Sequence, residues 1–203
     1  MGPGYGRGPV RPWDPQPPEP QREPRPEAIA PWLQERLFDR RIVTLAGPVG
    51  PADADRVVAS LLALDAAGTD PVRLHLNCPD GELTAVFALV DTIDAVEVPV
   101  HAVVTGEVGA AALGILAACE RRTAYPHARF RLAEPAVGGL AGTADEVAAA
   151  AGRHLRALED LVVRVAEACG RPRSRVEDDF GNGLTLDAAQ AVEYGLVEGI
   201  GPG

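Results

Sequence analysis

One stretch constrains the fold more than any other. Val98 to Thr105 is a run of apolar residues with the character of a buried strand, Gly106 follows, and from about Gly109 the chain reads as an apolar helix through Cys119. A strand running straight into a helix N-terminus is where α/β enzymes mount a nucleophile: the turn presents one side chain, and the free N–H groups beside it can hold an oxyanion. The residue at that point is Ala110, between Gly109 and Ala111. A scaffold for covalent catalysis is therefore expected here without the reactive atom.

The flanking sequence repeats the same alternation. Arg41–Ala46 and Val72–Leu76 read as strands, and Arg129–Leu132 as a further one. Between them, 52–64 places Ala54, Val57, Val58, Leu61, Leu62 and Leu64 at helical spacing, and 83–96 is a second helix. Strands that are apolar along their length, alternating with helices, predict a mostly parallel sheet covered by helices. Gly138-Gly139 predicts a turn. Thr143-Ala-Asp-Glu146 is a capping box and opens a long helix that Gly170 and Pro172 end near Cys169. A short helix, Asp187–Tyr194, is closed by Gly195, and a last apolar strand follows.

The first 31 residues differ from the rest. They hold ten of the 19 prolines, and Gly2, Gly4, Gly6 and Gly8 alternate. Such a segment buries too little apolar surface to fold, so 1–31 is expected to be a disordered tail and 32–203 a single folded domain. Pro15-Gln-Pro-Pro18 is a candidate polyproline II docking segment, with a bland tail the simpler reading. Near Trp32, a short helix or docking segment over 31–38 begins the domain.

Charge and residue usage exclude several classes. The net charge is −10, which opposes nucleic acid or an anionic membrane as partner. No apolar run reaches the roughly 18 residues of a membrane span, and no apolar signal core precedes the domain. Cys78, Cys119 and Cys169 are odd in number and lack metal-ligand spacing, so they read as small hydrophobes in a reducing, cytoplasmic compartment. No metal and no cofactor are expected. The chain has no lysine: all 19 of its basic residues are arginine.

Several segments together carry a family resemblance. Leu45-Ala-Gly-Pro-Val49, Leu76-Asn-Cys-Pro-Asp-Gly81, Asp91-Thr-Ile93, the Gly106–Gly114 turn, Gly138-Gly139, the long helix and Ala188-Ala-Gln-Ala-Val-Glu-Tyr-Gly-Leu196, in this order and spacing, resemble the proteolytic subunit of the Clp protease, ClpP, over about 33–200. The resemblance implies an α/β fold, the superhelix of ββα units shared with crotonases, with a long handle helix. It implies a seven-membered ring, two of which stack into a chambered barrel joined through the handles. The ring is homo-oligomeric or shared with active paralogues, and an AAA+ unfoldase is a further partner the resemblance admits.

Active members of that family carry a Ser–His–Asp triad. By the same resemblance the serine position is Ala110, the histidine position is Ala133 within Ala133-Glu-Pro135, and the aspartate position is Gly183, four residues after Asp179. The oxyanion hole is implied to consist of backbone N–H groups of Gly81 and Ala111. The family's Pro-Gly-Gly is here Pro79-Asp80-Gly81, and Asp80 and Glu82 bring negative charge toward that hole, against its purpose. Alanine supplies neither nucleophile nor base. Removing the nucleophile of such a triad costs about 10⁶-fold in kcat, and losing its partners adds little.

Substitutes are few. Ser60 and Ser174 stand far from the turn in sequence, and His127 precedes Ala133 by a span of roughly 20 Å along a strand. His75 and His101 are expected as satisfied core groups and His154 as a surface or interface group on the long helix. Cys78 is expected to be structural. The reading is a ClpP-like, non-catalytic ring subunit; the alternatives are a weakly active endopeptidase using displaced residues and a crotonase-type acyl-CoA enzyme with Glu107 as its carboxylate. A chain of charge −10 repels its copies, so a homomeric assembly is expected to strengthen with salt.

Overall fold

The computed structural model describes residues 31–136 and 142–201. The tail and the expected turn at Gly138-Gly139 lie outside the described residues. The elements in chain order are α1 (Pro31–Phe38), β1 (Ile42–Ala46), α2 (Pro51–Ala67), β2 (Val72–Cys78), α3 (Leu83–Ala95), β3 (Val100–Gly109), a 3-10 turn (Ala110–Ala112), α4 (Leu113–Ala118), β4 (Arg121–Ala124), β5 (Arg129–Leu132), α5 (Ala144–Cys169), α6 (Arg173–Asn182), β6 (Leu184–Asp187), α7 (Ala188–Tyr194) and β7 (Gly199–Ile200).

The main sheet is parallel in the order β1-β2-β3-β4-β7, and β5 continues from the upper half of β3 and pairs antiparallel with β6. This is the mixed α/β architecture expected from the sequence. Strand order follows chain order through β4. Right-handed crossovers through α2, α3 and α4 therefore all fall on one face of the sheet. That face carries Val43, Leu45, Leu74, Leu76, Val100, Ala102 and Val104, each at most 5% exposed. Arg73, His75, Asn77, His101 and Thr105 alternate with them and point the other way, half-buried or exposed.

Among the described residues no helix is long and apolar enough to cross a membrane. Helix α5 begins with the expected capping box, Thr143 and Glu146 bonding each other's backbone N–H, and ends at Gly170 in the left-handed region. Only Leu161, Val162, Val165 and Ala166 of its 26 residues are buried. Its C-terminal half packs against α4 at Gly114, where an added Cβ would come within 2.9 Å of Leu161 Cδ1. Arg164 anchors it further with a bidentate pair to Asp94, at 2.9 and 2.5 Å. The N-terminal half stands away from the core, and Leu155 is 60% exposed.

Three expectations are corrected. Gly106 is not a turn: β3 runs through it to Gly109. The glycine leaves room for the Asn77 side chain, whose Oδ1 accepts the Glu107 N–H at 2.9 Å. The helix expected from Gly109 begins instead as a 3-10 turn, with α-helix only from Leu113. The histidines of β2 and β3 are not satisfied core groups, because both lie on the face opposite the helices. His75 Nε2 is buried without a hydrogen-bond partner, and burial, then nearby Arg73, lowers its pKa.

Candidate functional site

The site is built where β3 ends. Gly109 sits between two chains: an added Cβ would lie 2.7 Å from the Pro79 carbonyl oxygen and 3.2 Å from Arg131 Cβ. Glycine is what lets the loop after β2 and strand β5 close on the strand end. Ala110 then turns the chain with φ +46°, the left-handed region that a residue with a Cβ enters at a cost of roughly 1–2 kcal/mol. Its methyl is fully buried. A strained, non-glycine residue at a strand-to-helix turn is the backbone geometry of a nucleophile elbow.

The sheet register brings the other two positions to the same corner. Gly109 pairs with Arg131 across β3 and β5. Arg131 pairs in turn with Thr185, and Leu132 with Leu184, across β5 and β6. One step further along that ladder stand Ala133 and Gly183, and one step along β3 stands Ala110. Ala133 is half-buried. Gly183 is exposed and caps α6 with φ +69°. None of the three side chains can transfer a proton or attack a carbonyl. Helix α6 itself escapes the sequence pattern, since only Val176 and Phe180 mark its apolar face.

Asp179 takes a different role. It is 5% exposed, and its Oδ2 accepts from Tyr194 Oη at 2.8 Å and from Arg175 Nε at 3.1 Å. Arg171 lies over the Tyr194 ring, 4.1 Å from its centre, and donates to the Tyr194 and Glu193 carbonyls. The carboxylate thus ties α6 to α7 and is engaged on its inner side.

The loop Pro79-Asp80-Gly81 forms the other wall. Gly81 bridges to Val49, and a Cβ at Gly81 would approach Val49 Cβ at 2.9 Å and Val86 Cγ2 at 3.0 Å, so the loop is pressed onto the core. The Gly81 N–H donates to Oδ1 of its own neighbour Asp80 at 2.7 Å. The other oxygen of the same carboxylate accepts the Ala136 N–H at 3.4 Å. Asp80 therefore spans from this loop to the segment that follows Ala133. Ala111, on the facing side, is fully buried.

Arg131 was not legible as a site residue from sequence. Its Nη2 donates to the Pro79 carbonyl at 3.2 Å, and its Nε stands 3.7 Å from Glu107. It braces the loop and engages the one carboxylate that the acyl-CoA alternative requires.

The remaining nucleophile candidates lie elsewhere. Ser60 Oγ donates to the Arg56 carbonyl one helical turn back at 2.8 Å, on the exposed side of α2. Ser174 is exposed at the start of α6, and His127 is exposed in the turn between β4 and β5. Cys78 is fully buried and its thiol donates to the Leu45 carbonyl at 3.3 Å. Burial pushes it up to about 12, so little thiolate exists at neutral pH. Cys119 is buried and likewise pushed up to about 12, and Cys169 to about 11. His154 is half-buried on the projecting part of α5.

The family model described as Clp protease matches residues 27–202 of this chain.

Proposed function

Because the chain belongs to the Clp protease family, we propose that it is a non-catalytic subunit of a ring-shaped Clp protease in the cytoplasm, assembled with active relatives. The observation that carries this reading is the convergence of Ala110, Ala133 and Gly183 on one corner by strand register, at a turn whose backbone has the strain of a nucleophile elbow. A serine mechanism needs an attacking oxygen and a base within about 2.6–3.2 Å of it. These three positions offer neither.

Two further features support it. The Gly81 N–H, which the family resemblance assigns to the oxyanion hole, already carries the Asp80 carboxylate. A fixed anion there opposes the developing charge of a tetrahedral intermediate. The projecting half of α5 leaves Leu155 in solvent, an apolar position suited to contact with a facing ring. The subunit's contribution is then structural: it completes ring and chamber walls, and its cleft receives no scissile bond.

The test is exposure of the purified chain to a fluorophosphonate serine probe with intact-mass readout. The expected result is no adduct under conditions that fully label an active relative. A stoichiometric adduct at a single residue would overturn the reading.

A further inference from the structure

Two backbone N–H groups, those of Gly81 and Ala136, stand on opposite walls of the cleft, and one carboxylate reaches both. The first wall is the loop after β2, and it is pinned. The Val49 N–H donates to the Asp80 carbonyl at 3.0 Å and the Glu82 N–H to the Val49 carbonyl at 2.9 Å. Arg131 holds the Pro79 carbonyl from the far side. The second wall is the segment that continues from β5. The β5–β6 ladder ends at Leu132 and Leu184, so Ala136 lies beyond it, and its N–H goes to Asp80 rather than to a strand.

Backbone donors on the walls of a groove are what an extended peptide bonds when it adds to a sheet edge. Here the Asp80 side chain takes them instead. A carboxylate accepts more strongly than a neutral peptide carbonyl, and one tethered beside the donors acts at high effective concentration. Among the described residues Asp80 forms no ion pair, and Arg131, which braces the same loop, is paired with Glu107. The backbone N–H groups are therefore what holds the carboxylate in place. Because the loop is pinned, the groove opens by rotation of one side chain and not by movement of the wall.

We propose that Asp80 is a self-occluding latch: its side chain stands in for a peptide backbone between the two walls, so the wild-type cleft is closed to peptide, and removing the side chain opens it. This rests on the non-catalytic reading above and deepens it. Loss of the three reactive groups prevents cleavage, whereas the latch prevents entry. A subunit of this kind neither cuts polypeptide nor retains it on its own wall. The amide of D80N keeps the shape of the side chain but offers one acceptor oxygen to two donors, so it loosens the latch without emptying the space.

The test is titration of the full chain with dansyl-Ala-Leu-Ala-Leu-Ala amide, an uncharged peptide, followed by fluorescence anisotropy. It compares wild type, D80G, D80N and the control D178N, which makes the same charge change on the exposed side of α6. Hydrogen exchange at the Ala136 amide is read by NMR on the same proteins without peptide. The expected result is binding by D80G roughly tenfold tighter than by wild type or D178N, the scale of one hydrogen bond to a charged group. D80N falls between, and the Ala136 amide exchanges faster in D80N and D80G. Equal binding by wild type and D80G, no binding by either, or Ala136 exchange unchanged in D80N would overturn the proposal. An adduct of wild type with the serine probe is a separate outcome, which overturns the non-catalytic reading.

Discussion

The carboxylate of Asp80 accepts the backbone N–H of the next residue, Gly81, at 2.7 Å, and its second oxygen reaches the Ala136 N–H at 3.4 Å. A single acidic side chain thus occupies a backbone donor that a catalytic cleft would keep free, and bridges the two walls of that cleft. The resemblance to the Clp protease family implies a glycine where Asp80 stands, and the charge of Asp80 makes the difference consequential.

Restoring the reactive groups should therefore not restore full activity. We expect A110S/A133H/G183D to label slowly with a fluorophosphonate, and the same variant with D80G to label about 100-fold faster, the scale of losing or regaining one oxyanion donor. Aspartate tolerates the left-handed backbone at position 183 better than most residues, so the triple variant is expected to fold. Intact-mass kinetics check this. Equal rates with and without D80G would show that the Gly81 N–H is irrelevant to the cleft.

Gly109 holds the corner together by having no side chain. An added methyl meets the Pro79 carbonyl at 2.7 Å and Arg131 Cβ at 3.2 Å, and both neighbours are tied to each other by the Arg131–Pro79 hydrogen bond. G109A is expected to cost about 1–3 kcal/mol, the range for overpacking a tight site. Urea denaturation followed by circular dichroism measures it. A midpoint within error of wild type would mean that the loop moves freely.

The buried thiols predict a loss of stability in alkali. Cys78 and Cys119 are each raised from 9.0 to about 12, chiefly by burial. In the unfolded chain they ionise near 9.0, so between these values the unfolded state binds fewer protons than the folded one. The stabilisation is complete below pH 9 and is lost as pH rises toward 12, at on the order of 1 kcal/mol per pH unit for each thiol. Urea midpoints at pH 8, 9.5 and 10.5 should fall more steeply for wild type than for C78A/C119A. Parallel slopes would contradict this.

Sequence legibility followed the physics of each element. Strands β1, β2 and β3 and the capping boxes were readable because apolar runs and short hydrogen-bonding motifs are local signals. The β5–β6 pairing was not, because its partners stand more than fifty residues apart, yet that pairing is what brings Gly183 toward Ala133. Helix α6 carries too few apolar residues to announce itself. The Asp80 bridge was hinted at only as misplaced charge; its contact with the Ala136 N–H depends on how two distant loops meet. Gly106 misled because a glycine next to a strand suggests a turn, whereas here it makes space for Asn77.

Leu155 separates assembly from folding. It is 60% exposed on the projecting half of α5, so L155E should leave the unfolding free energy within about 0.5 kcal/mol of wild type, as surface substitutions do. If this half of α5 joins rings, the variant should sediment as single rings or smaller species where wild type forms the larger particle. Unchanged sedimentation would assign the ring contact to another surface.

The most direct measurement is native mass spectrometry of the tagged chain isolated from its own cells. A non-catalytic ring subunit predicts a mixed ring holding this chain together with a serine-bearing Clp protease relative, and, after treatment with a fluorophosphonate probe, adducts on the relative alone. A homomer or monomer with no such relative, or an adduct on this chain, would contradict it.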